Sequence, residues 1–173
     1  MKIAITGHRP NKLGNDYDLV SPMIQKIQNA ILSALISNCE MDLTGDGELV
    51  KFPNLTLITG MALGIDTLFA KIAIANNIPF IAAIPCKKQW ARWPKKSQMT
   101  WFEIVQHPLC TKHYVSRELY SSKCMDKRNE WMVDNCDLLI AVWDETPGGT
   151  YNCIKYAIEK DKRIIFINPK HYI

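Results

Sequence analysis

Residues 2–9, KIAITGHR, begin the chain with a short apolar run that stops at a glycine followed by two basic side chains. The run KIAIT (2–6) has four counterparts rich in Ile, Leu, Val and Phe: LTLIT (55–59), IPFIAAI (78–84), DLLIAVW (137–143) and RIIFIN (163–168). None of these runs alternates strictly between apolar and polar residues. Continuous apolar runs are typical of strands covered on both faces, as in a parallel sheet.

Segments with helical periodicity lie between the apolar runs. Residues 21–37 repeat apolar side chains about every 3.6 residues, and Ser21 followed by Pro22 is a typical helix start. Residues 63–75, 121–134 and 150–160 meet the same test. The alternation of strands and helices predicts an α/β fold: a Rossmann-like, doubly wound, mainly parallel sheet in a three-layer arrangement.

Two stretches interrupt this alternation. Residues 44–49, TGDGEL, predict a turn within a small surface excursion. Residues 85–115 are longer and predict an amphipathic helix near 97–107 and a short strand at 112–115. We expect this insertion to form a lid or a subunit contact, and we expect residues 1–173 to form a single domain.

Composition excludes several classes of protein. The formal net charge of +4 favours an anionic ligand but is small for a protein that coats nucleic acid. No two of the six cysteines have the CxxC spacing of a zinc site, so a zinc site is not indicated. We expect neither a metal nor a cofactor. No signal peptide and no apolar stretch of membrane-spanning length is visible, so we expect a cytoplasmic protein without a membrane partner.

Three loops that follow predicted strands are rich in glycine, and in such a sheet they meet at one edge, where ligands bind. The first, TGHRP, contains Thr6 and Gly7 and directs hydrogen-bonding or cationic groups of His8 and Arg9 into the crevice. The second, TGMALGID (59–66), leaves amides uncovered at a helix start and places a carboxylate in its first turn. The third, WDETPGGT (143–150), again leaves amides uncovered at a helix start, and Thr150 adds a hydroxyl group.

Four motifs in the same order resemble the SLOG superfamily, which is named for the SMF/DprA proteins and the LOG enzymes. They are TGHRP, GMALGID, DKRNEWMVDNCDLLIAVWD and PGGT, and the similarity is greatest to the YspA/YpsA-like branch. The resemblance implies a Rossmann-like sheet whose loops hold a nucleotide or a nucleotide-derived ligand. The site residues expected from the loops and the resemblance together are Thr6, Gly7, His8, Arg9, Gly60, Met61, Ala62, Gly64, Asp66, Arg128, Asn129, Asp144, Gly148, Gly149 and Thr150.

One departure from the LOG pattern bears on activity. LOG enzymes cleave the N-glycosidic bond of a nucleoside monophosphate and carry the pattern PGGxGTxxE, whereas this chain reads PGGTYNCIKYA, with no carboxylate until Glu159. An oxocarbenium-like transition state is stabilised by a nearby carboxylate. Cleavage by the same residues is therefore not expected. The carboxylates that could replace the missing glutamate are Asp66, Asp144 and Glu145, and Arg128 is a further catalytic candidate.

Three functional interpretations follow. The first is a sensor or binding protein for a nucleotide-derived molecule, and the second is an N-glycosidase or phosphoribohydrolase related to the LOG enzymes. The third, considered weaker, is single-stranded nucleic-acid binding as in DprA, because residues 87–102 interleave lysines, an arginine and tryptophans. Those tryptophans, together with the pairing common in SLOG relatives, also predict a homodimer or larger homo-oligomer.

Overall fold

The structure is a computed structural model that describes residues 1–40, 42–43, 50–116 and 121–172. Its centre is a sheet whose neighbouring strands are all parallel. The strands are β1 (Lys2–Gly7), β4 (Thr56–Thr59), β5 (Phe80–Ile84), β6 (Cys110–Tyr114), β7 (Leu138–Val142) and β8 (Arg163–Ile167). They lie in the order β6-β5-β4-β1-β7-β8, which confirms the predicted Rossmann-like, doubly wound fold.

Helices cover both faces of the sheet. They are α1 (Pro22–Asn38), α2 (Ile65–Ala75), α3 (Lys95–Gln106), α4 (Ser122–Asp134) and α5 (Gly149–Glu159). Successive strand residues point to opposite faces, so Ile3 and Ile5 of β1 join a core with α1, α2 and α3. Ala4, between them, joins a second core with α4 and α5. Both faces are therefore apolar, as the continuous runs predicted.

Helix α1 shows how the local sequence sets an element. The Ser21 side chain accepts a hydrogen bond from the Ile24 N–H at 3.4 Å, and Pro22 occupies the first turn, where no intrahelical donor is required. Its apolar stripe is fully buried and consists of Ile24, Ile27, Ile31 and Leu35. The cap fixes where the helix begins, and the stripe fixes which face packs on the sheet.

A small antiparallel pair lies apart from the main sheet. It consists of β2 (Asp42–Leu43) and β3 (Val50–Lys51). The turn predicted at 44–49 falls between these two strands and lies outside the described residues. In the part of the chain that the structure describes, no helix has both the length and the apolar character needed to cross a membrane.

The strand order creates a crevice at the carboxyl ends of β1 and β7. From β1 the chain moves to β4 on one side, and from β6 it returns to β7 on the other side of β1. The two strands are paired over several residues, with Gly7 opposite Val142 at their carboxyl ends. The loops that follow β1 and β7 diverge from this point, which is where open α/β sheets bind ligands.

Candidate functional site

A cleft of about 250 Å³ occupies the crevice between the β1 and β7 loops. Four parts of the chain contribute to it: the segment after β1, the start of α2, the first half of α4, and the loop leading into α5. Most of the residues predicted for the site line it, namely Thr6, Gly7, His8, Arg9, Ala62, Asp66, Arg128, Asn129, Gly148, Gly149 and Thr150. The loops thus converge on one cleft, as the parallel topology requires.

The other predicted residues lie beside the cleft without lining it. Met61 is fully buried in the core, and Gly60, Gly64 and Asp144 are absent from the cleft lining. A Cβ at Gly64 would overlap the carbonyl oxygen of His8, and a Cβ at Gly7 would lie 2.6 Å from the Ile65 side chain. The lack of a side chain at these two glycines allows the β1 loop to pack against the start of α2, and Gly7 also lines the cleft.

A buried ion pair forms the floor of the cleft. Arg128 of α4 donates from Nη1 to Asp66 Oδ2 at 3.3 Å, and the two side chains are 8% and 7% exposed. The Ala62 N–H donates to the same Asp66 oxygen at 3.2 Å. Burial raises the pKa of Asp66, while the positive charge of Arg128 and the Ala62 N–H counteract part of that increase.

The Arg128 guanidinium keeps hydrogen-bonding capacity after this pairing. Its Nε donates to Asn129 Oδ1 at 3.1 Å. Among the described residues, its Nη2 contacts only the Met125 thioether sulfur, a weak acceptor, at 3.9 Å. Asn129 in turn donates to the Gly149 carbonyl at 3.3 Å, which joins α4 to α5. A guanidinium carries five N–H donors, so Arg128 can bind an anion in the cleft without releasing Asp66.

The β1 and β7 loops are joined by a histidine–carboxylate contact. His8 Nε2 lies 2.6 Å from Asp144 Oδ1, and the histidine is 4% exposed. The same carboxylate oxygen accepts the Thr146 hydroxyl at 2.5 Å and the Thr146 N–H at 3.1 Å. Lys12 donates to the Thr146 hydroxyl oxygen. This chain of contacts fixes the loop that leads into α5 against the segment after β1.

Burial and hydrogen bonding set the charges of this pair. Desolvation lowers the pKa of His8 below 6.5, although Asp144 opposes that shift. Burial alone would raise the pKa of Asp144, but the hydrogen bonds from Thr146 and the contact with His8 outweigh it and lower the pKa to about 2. Near neutral pH the pair is therefore a neutral imidazole beside an ionised carboxylate.

The start of α5 supplies uncovered amides to the cleft. Gly148, at the N-cap, has φ 147°, a conformation that favours glycine, and no side chain caps the helix. A Cβ at Gly148 or Gly149 would meet nothing within 4 Å, so their backbone is open to the cleft. Free N–H groups at a helix start favour an anion.

Sequence reasoning missed several residues that line the cleft: Asn11, Lys12, Met125, Asp126, Thr146 and Pro147. Lys12 lies in a short 3-10 turn (Pro10–Lys12) directly after the first motif. Extending the TGHRP motif by two residues, and the PGGT motif by one, would have included Lys12 and Thr146. Asp126 is exposed and precedes Arg128 by two positions, so helical periodicity from Arg128 did not select it.

A second cavity of about 560 Å³ adjoins the cleft, with Arg9 and Met125 lining both. Its remaining lining comes from the predicted insertion: Lys87, Lys88, Gln89, Ala91, Arg92 and Trp93, with Leu63 from the α2 loop. Gln89 is 5% exposed; its amide nitrogen donates to the Gly60 carbonyl at 3.1 Å, and its Oε1 has no partner among the described residues. The cavity therefore combines four cationic side chains with a buried amide.

The three tryptophans of the insertion lie in different environments. Trp101 is 6% exposed and belongs to the core, where it packs edge-on against Phe102 at a centroid distance of 5.2 Å. Trp90 lies 4.8 Å from Phe102 and is half-buried. Trp93 lines the second cavity. Of the three, Trp93 is the one that lines either of the two cavities described above.

Replacing Gly60 by alanine tests the ion pair. A Cβ at this position would overlap the Arg128 guanidinium and lie 2.7 Å from Asp66 Oδ2. We expect Gly60→Ala to separate the buried pair and to lower the free energy of unfolding by about 3 kcal/mol. Urea denaturation measures this change. Gly149→Ala, where the new methyl group meets nothing, is the matched control, and an equal loss in both variants would contradict the assignment.

The stability of the protein should depend on pH through His8 and Asp144. Both folded-state pKa values lie below the ordinary values of 6.5 and 3.8, so the unfolded chain binds protons that the folded chain does not. We expect the melting temperature to fall as pH decreases below 6.5, and to fall further between about pH 4 and pH 2. Asp16, whose desolvation is outweighed by hydrogen bonds that lower its pKa, contributes in the same acid range, so Asp144→Asn should reduce the lower step rather than abolish it. An unchanged acid profile in that variant would contradict the contact.

Comparison with known proteins places the chain in a family. The sequence profile described as DNA recombination-mediator protein A matches residues 47–172. The uncharacterized SPbeta prophage-derived protein YoqJ of Bacillus subtilis (strain 168) is 34% identical over 125 residues, covering 63% of this chain and 72% of YoqJ.

Two solved structures share the fold. DNA processing protein A from Streptococcus pneumoniae superposes with a TM-score of 0.58 at 21% identity, over 96% of this chain and 50% of that one. DNA processing protein A from Helicobacter pylori, a structure reported for its single-stranded DNA binding mode, gives a TM-score of 0.63 at 18% identity, over 97% of this chain and 65% of that one. The chain thus spans 50% to 65% of the length of these two proteins. Since the profile covers most of the sequence, the chain belongs to the DNA recombination-mediator protein A family and, through it, to the SLOG superfamily.

Proposed function

We propose that the cleft binds a nucleotide or a nucleotide-derived ligand through its phosphate and ribose, and that the protein acts as a sensor or binding protein. The observation that carries this proposal is the buried Arg128 guanidinium, which has donors left over after pairing with Asp66 and lies beside the uncapped start of α5. A guanidinium and free helix N–H groups in one cleft are suited to a phosphate group.

Two further cations support an anionic ligand. Arg9 is exposed, lines both cavities and forms no ion pair with any described residue. Lys12 contacts the Thr146 hydroxyl at the rim of the cleft. The cleft carboxylate of Asp66 is already neutralised by Arg128, and Asp126 is the other acidic residue of the lining. The cations therefore outnumber the acidic groups in the described lining.

The arrangement favours binding over N-glycosidic cleavage. Two of the three carboxylates considered as replacements for the LOG glutamate are engaged: Asp66 with Arg128, and Asp144 with His8 and Thr146. The third, Glu145, is exposed and does not belong to the cleft lining, and Glu159 at the end of α5 lines a different surface depression. An oxocarbenium-like state would need a carboxylate directed at the sugar, and none of these four side chains meets that need.

Removing the Arg9 guanidinium should weaken binding. A charge-assisted hydrogen bond to phosphate is worth about 1.5–3 kcal/mol, so Arg9→Ala should raise the dissociation constant by about 10- to 100-fold. Isothermal titration calorimetry with AMP, ADP-ribose and NAD measures this. Arg163→Ala, at the exposed first residue of β8, is the control for loss of one surface charge. Failure of the unchanged protein to bind any of these compounds at millimolar concentration would overturn the proposal.

Single-stranded nucleic acid is the second candidate, and the second cavity favours it. That cavity brings Lys87, Lys88 and Arg92 beside Trp93 and continues from the cleft across Arg9. Basic groups that follow a backbone, together with an aromatic ring that stacks on a base, are the usual elements of such a site. The Helicobacter pylori relative, whose structure was reported for binding single-stranded DNA, has the same fold.

This candidate can be tested independently of the first. If a strand binds in the second cavity, Trp93→Ala should weaken binding of a fluorescent oligothymidylate by about 1–3 kcal/mol, and the affinity should fall steeply with salt. Fluorescence anisotropy measures both effects. The NaCl concentration should range from about 50 to 200 mM, because losses of affinity are large over this range. Trp143→Ala, outside the lining of both cavities, is the control; anisotropy that does not respond to the unchanged protein would eliminate this candidate.

A further inference from the structure

The thioether of Met125 occupies the open side of the Arg128 guanidinium. The Nη1 and Nε donors of Arg128 are paired with Asp66 and Asn129. In the described part of the chain, Nη2 contacts only the Met125 sulfur, at 3.9 Å, and a thioether is a weak acceptor. The sulfur therefore lies where an acceptor would meet the donors that the buried ion pair leaves over.

Met125 is also accessible from the two cavities. It is half-buried and lines both the cleft and the second cavity. Met61 and Met132, by contrast, are buried in the core, and Met99 is exposed but lines neither cavity. Met125 thus combines access for a small reagent with direct contact to the group that carries the proposed phosphate site.

Oxidation of this sulfur changes the chemistry of the contact. The sulfur lone pair attacks one oxygen of hydrogen peroxide, and the O–O bond breaks. The sulfur is oxidised by two electrons, the peroxide is reduced, and the proton of the transferred oxygen leaves with the second oxygen as water. The product, methionine sulfoxide, is polar, and its oxygen is a much stronger hydrogen-bond acceptor than a thioether. Since the sulfur already lies 3.9 Å from Nη2, an oxygen directed between them comes within hydrogen-bond distance of the guanidinium.

We propose that Met125 is a site of oxidation by hydroperoxides, and that its sulfoxide pairs with Arg128 Nη2 and thereby closes the cleft to a phosphate group. This inference rests on the proposed nucleotide-binding function and adds a modification that regulates the same site. The sulfoxide oxygen belongs to the protein, so it competes with any ligand for the donor that Asp66 leaves free. Asp66 keeps Nη1, so the buried ion pair stays intact. Methionine sulfoxide reductases restore the thioether and would reopen the cleft.

The test is treatment of the full chain with hydrogen peroxide, followed by mass spectrometry of its peptides and calorimetry with AMP. We expect Met125 to gain one oxygen before Met61 and Met132. The dissociation constant for AMP should then rise about tenfold or more, as for loss of one charge-assisted hydrogen bond, and a methionine sulfoxide reductase should restore it. An oxidised Met125 with unchanged AMP affinity, or a Met125 that resists oxidation as long as Met61 does, would overturn the inference.

Two variants separate Met125 from the other groups that peroxide oxidises. Each variant is compared with itself before and after treatment. Met125→Leu, which keeps an apolar side chain of similar volume, should hold its AMP affinity through the treatment. Met99→Leu should lose affinity as the unchanged protein does. Equal losses in both variants would assign the effect to another group, such as a cysteine thiol, and would count decisively against Met125.

The guanidinium of Arg128 provides a readout that needs neither a variant nor a ligand. In nitrogen NMR spectra of the unchanged protein, the Nη2 signal should move after oxidation because its acceptor changes from sulfur to oxygen, and the reductase should return it. A fixed signal in protein whose Met125 is fully oxidised would overturn this inference alone. Absence of AMP binding before any treatment would overturn the proposed function, while the NMR signal would still decide whether the sulfoxide pairs with Arg128.

Discussion

The buried pair of Asp66 and Arg128 is the constraint on which the cleft depends. Moving two charges out of water costs several kcal/mol per ion, and this cost is recovered only with close geometry and additional hydrogen bonds. Here the geometry requires a glycine at position 60, since any side chain there would occupy the space of the guanidinium. The pair also fixes α2 relative to α4, and Asn129 extends the connection to α5 through the Gly149 carbonyl.

A second long-range contact, between His8 and Asp144, joins the β1 and β7 loops beside the cleft. His8 follows β1 and Asp144 follows β7, and they are 136 positions apart in the chain. The two strands are adjacent and parallel, so their carboxyl ends bring these side chains together. The switch in strand order opens a crevice, and the His8–Asp144 contact fixes its width. The sheet thus determines where a ligand can enter, and the two polar contacts determine what chemistry it meets.

The sequence predicts the sheet and most of the cleft lining, because both depend on local patterns. Apolar runs identify strands, and the rule that parallel strands end at one edge brings Arg9, Asp66 and Gly148 together without any structure. Arg128 lies within a helix rather than after a strand, and only the family resemblance predicts its place at the site. The contacts and the protonation state of each side chain are harder to predict from the sequence. Position 60 must be a glycine because Arg128, from a distant helix, occupies the space where a side chain would lie. His8 is neutral because it is buried, and no local sequence pattern reveals that burial.

Long-range contacts also explain why sequence reasoning missed some residues of the cleft. Lys12 and Thr146 meet across 134 positions. Lys12 follows the first glycine-rich loop, and Thr146 lies in the third but before its two glycines. The division of the tryptophans is likewise tertiary: Trp101 packs in the core although its neighbours in the basic segment suggest an exposed face. Periodicity identifies which residues share a helix face, but it does not show which face a neighbouring loop will cover.

The two candidate functions place different demands on the cations of the two cavities. A single nucleotide carries its phosphate at one end, and the Arg128 guanidinium together with the uncapped start of α5 is enough to meet it. A strand carries one phosphate for every nucleotide, and so would also need Lys87, Lys88 and Arg92 of the second cavity. Arg9 lines both cavities and serves either ligand. The choice between the two candidates therefore depends on the second cavity, because the cleft alone meets the needs of both.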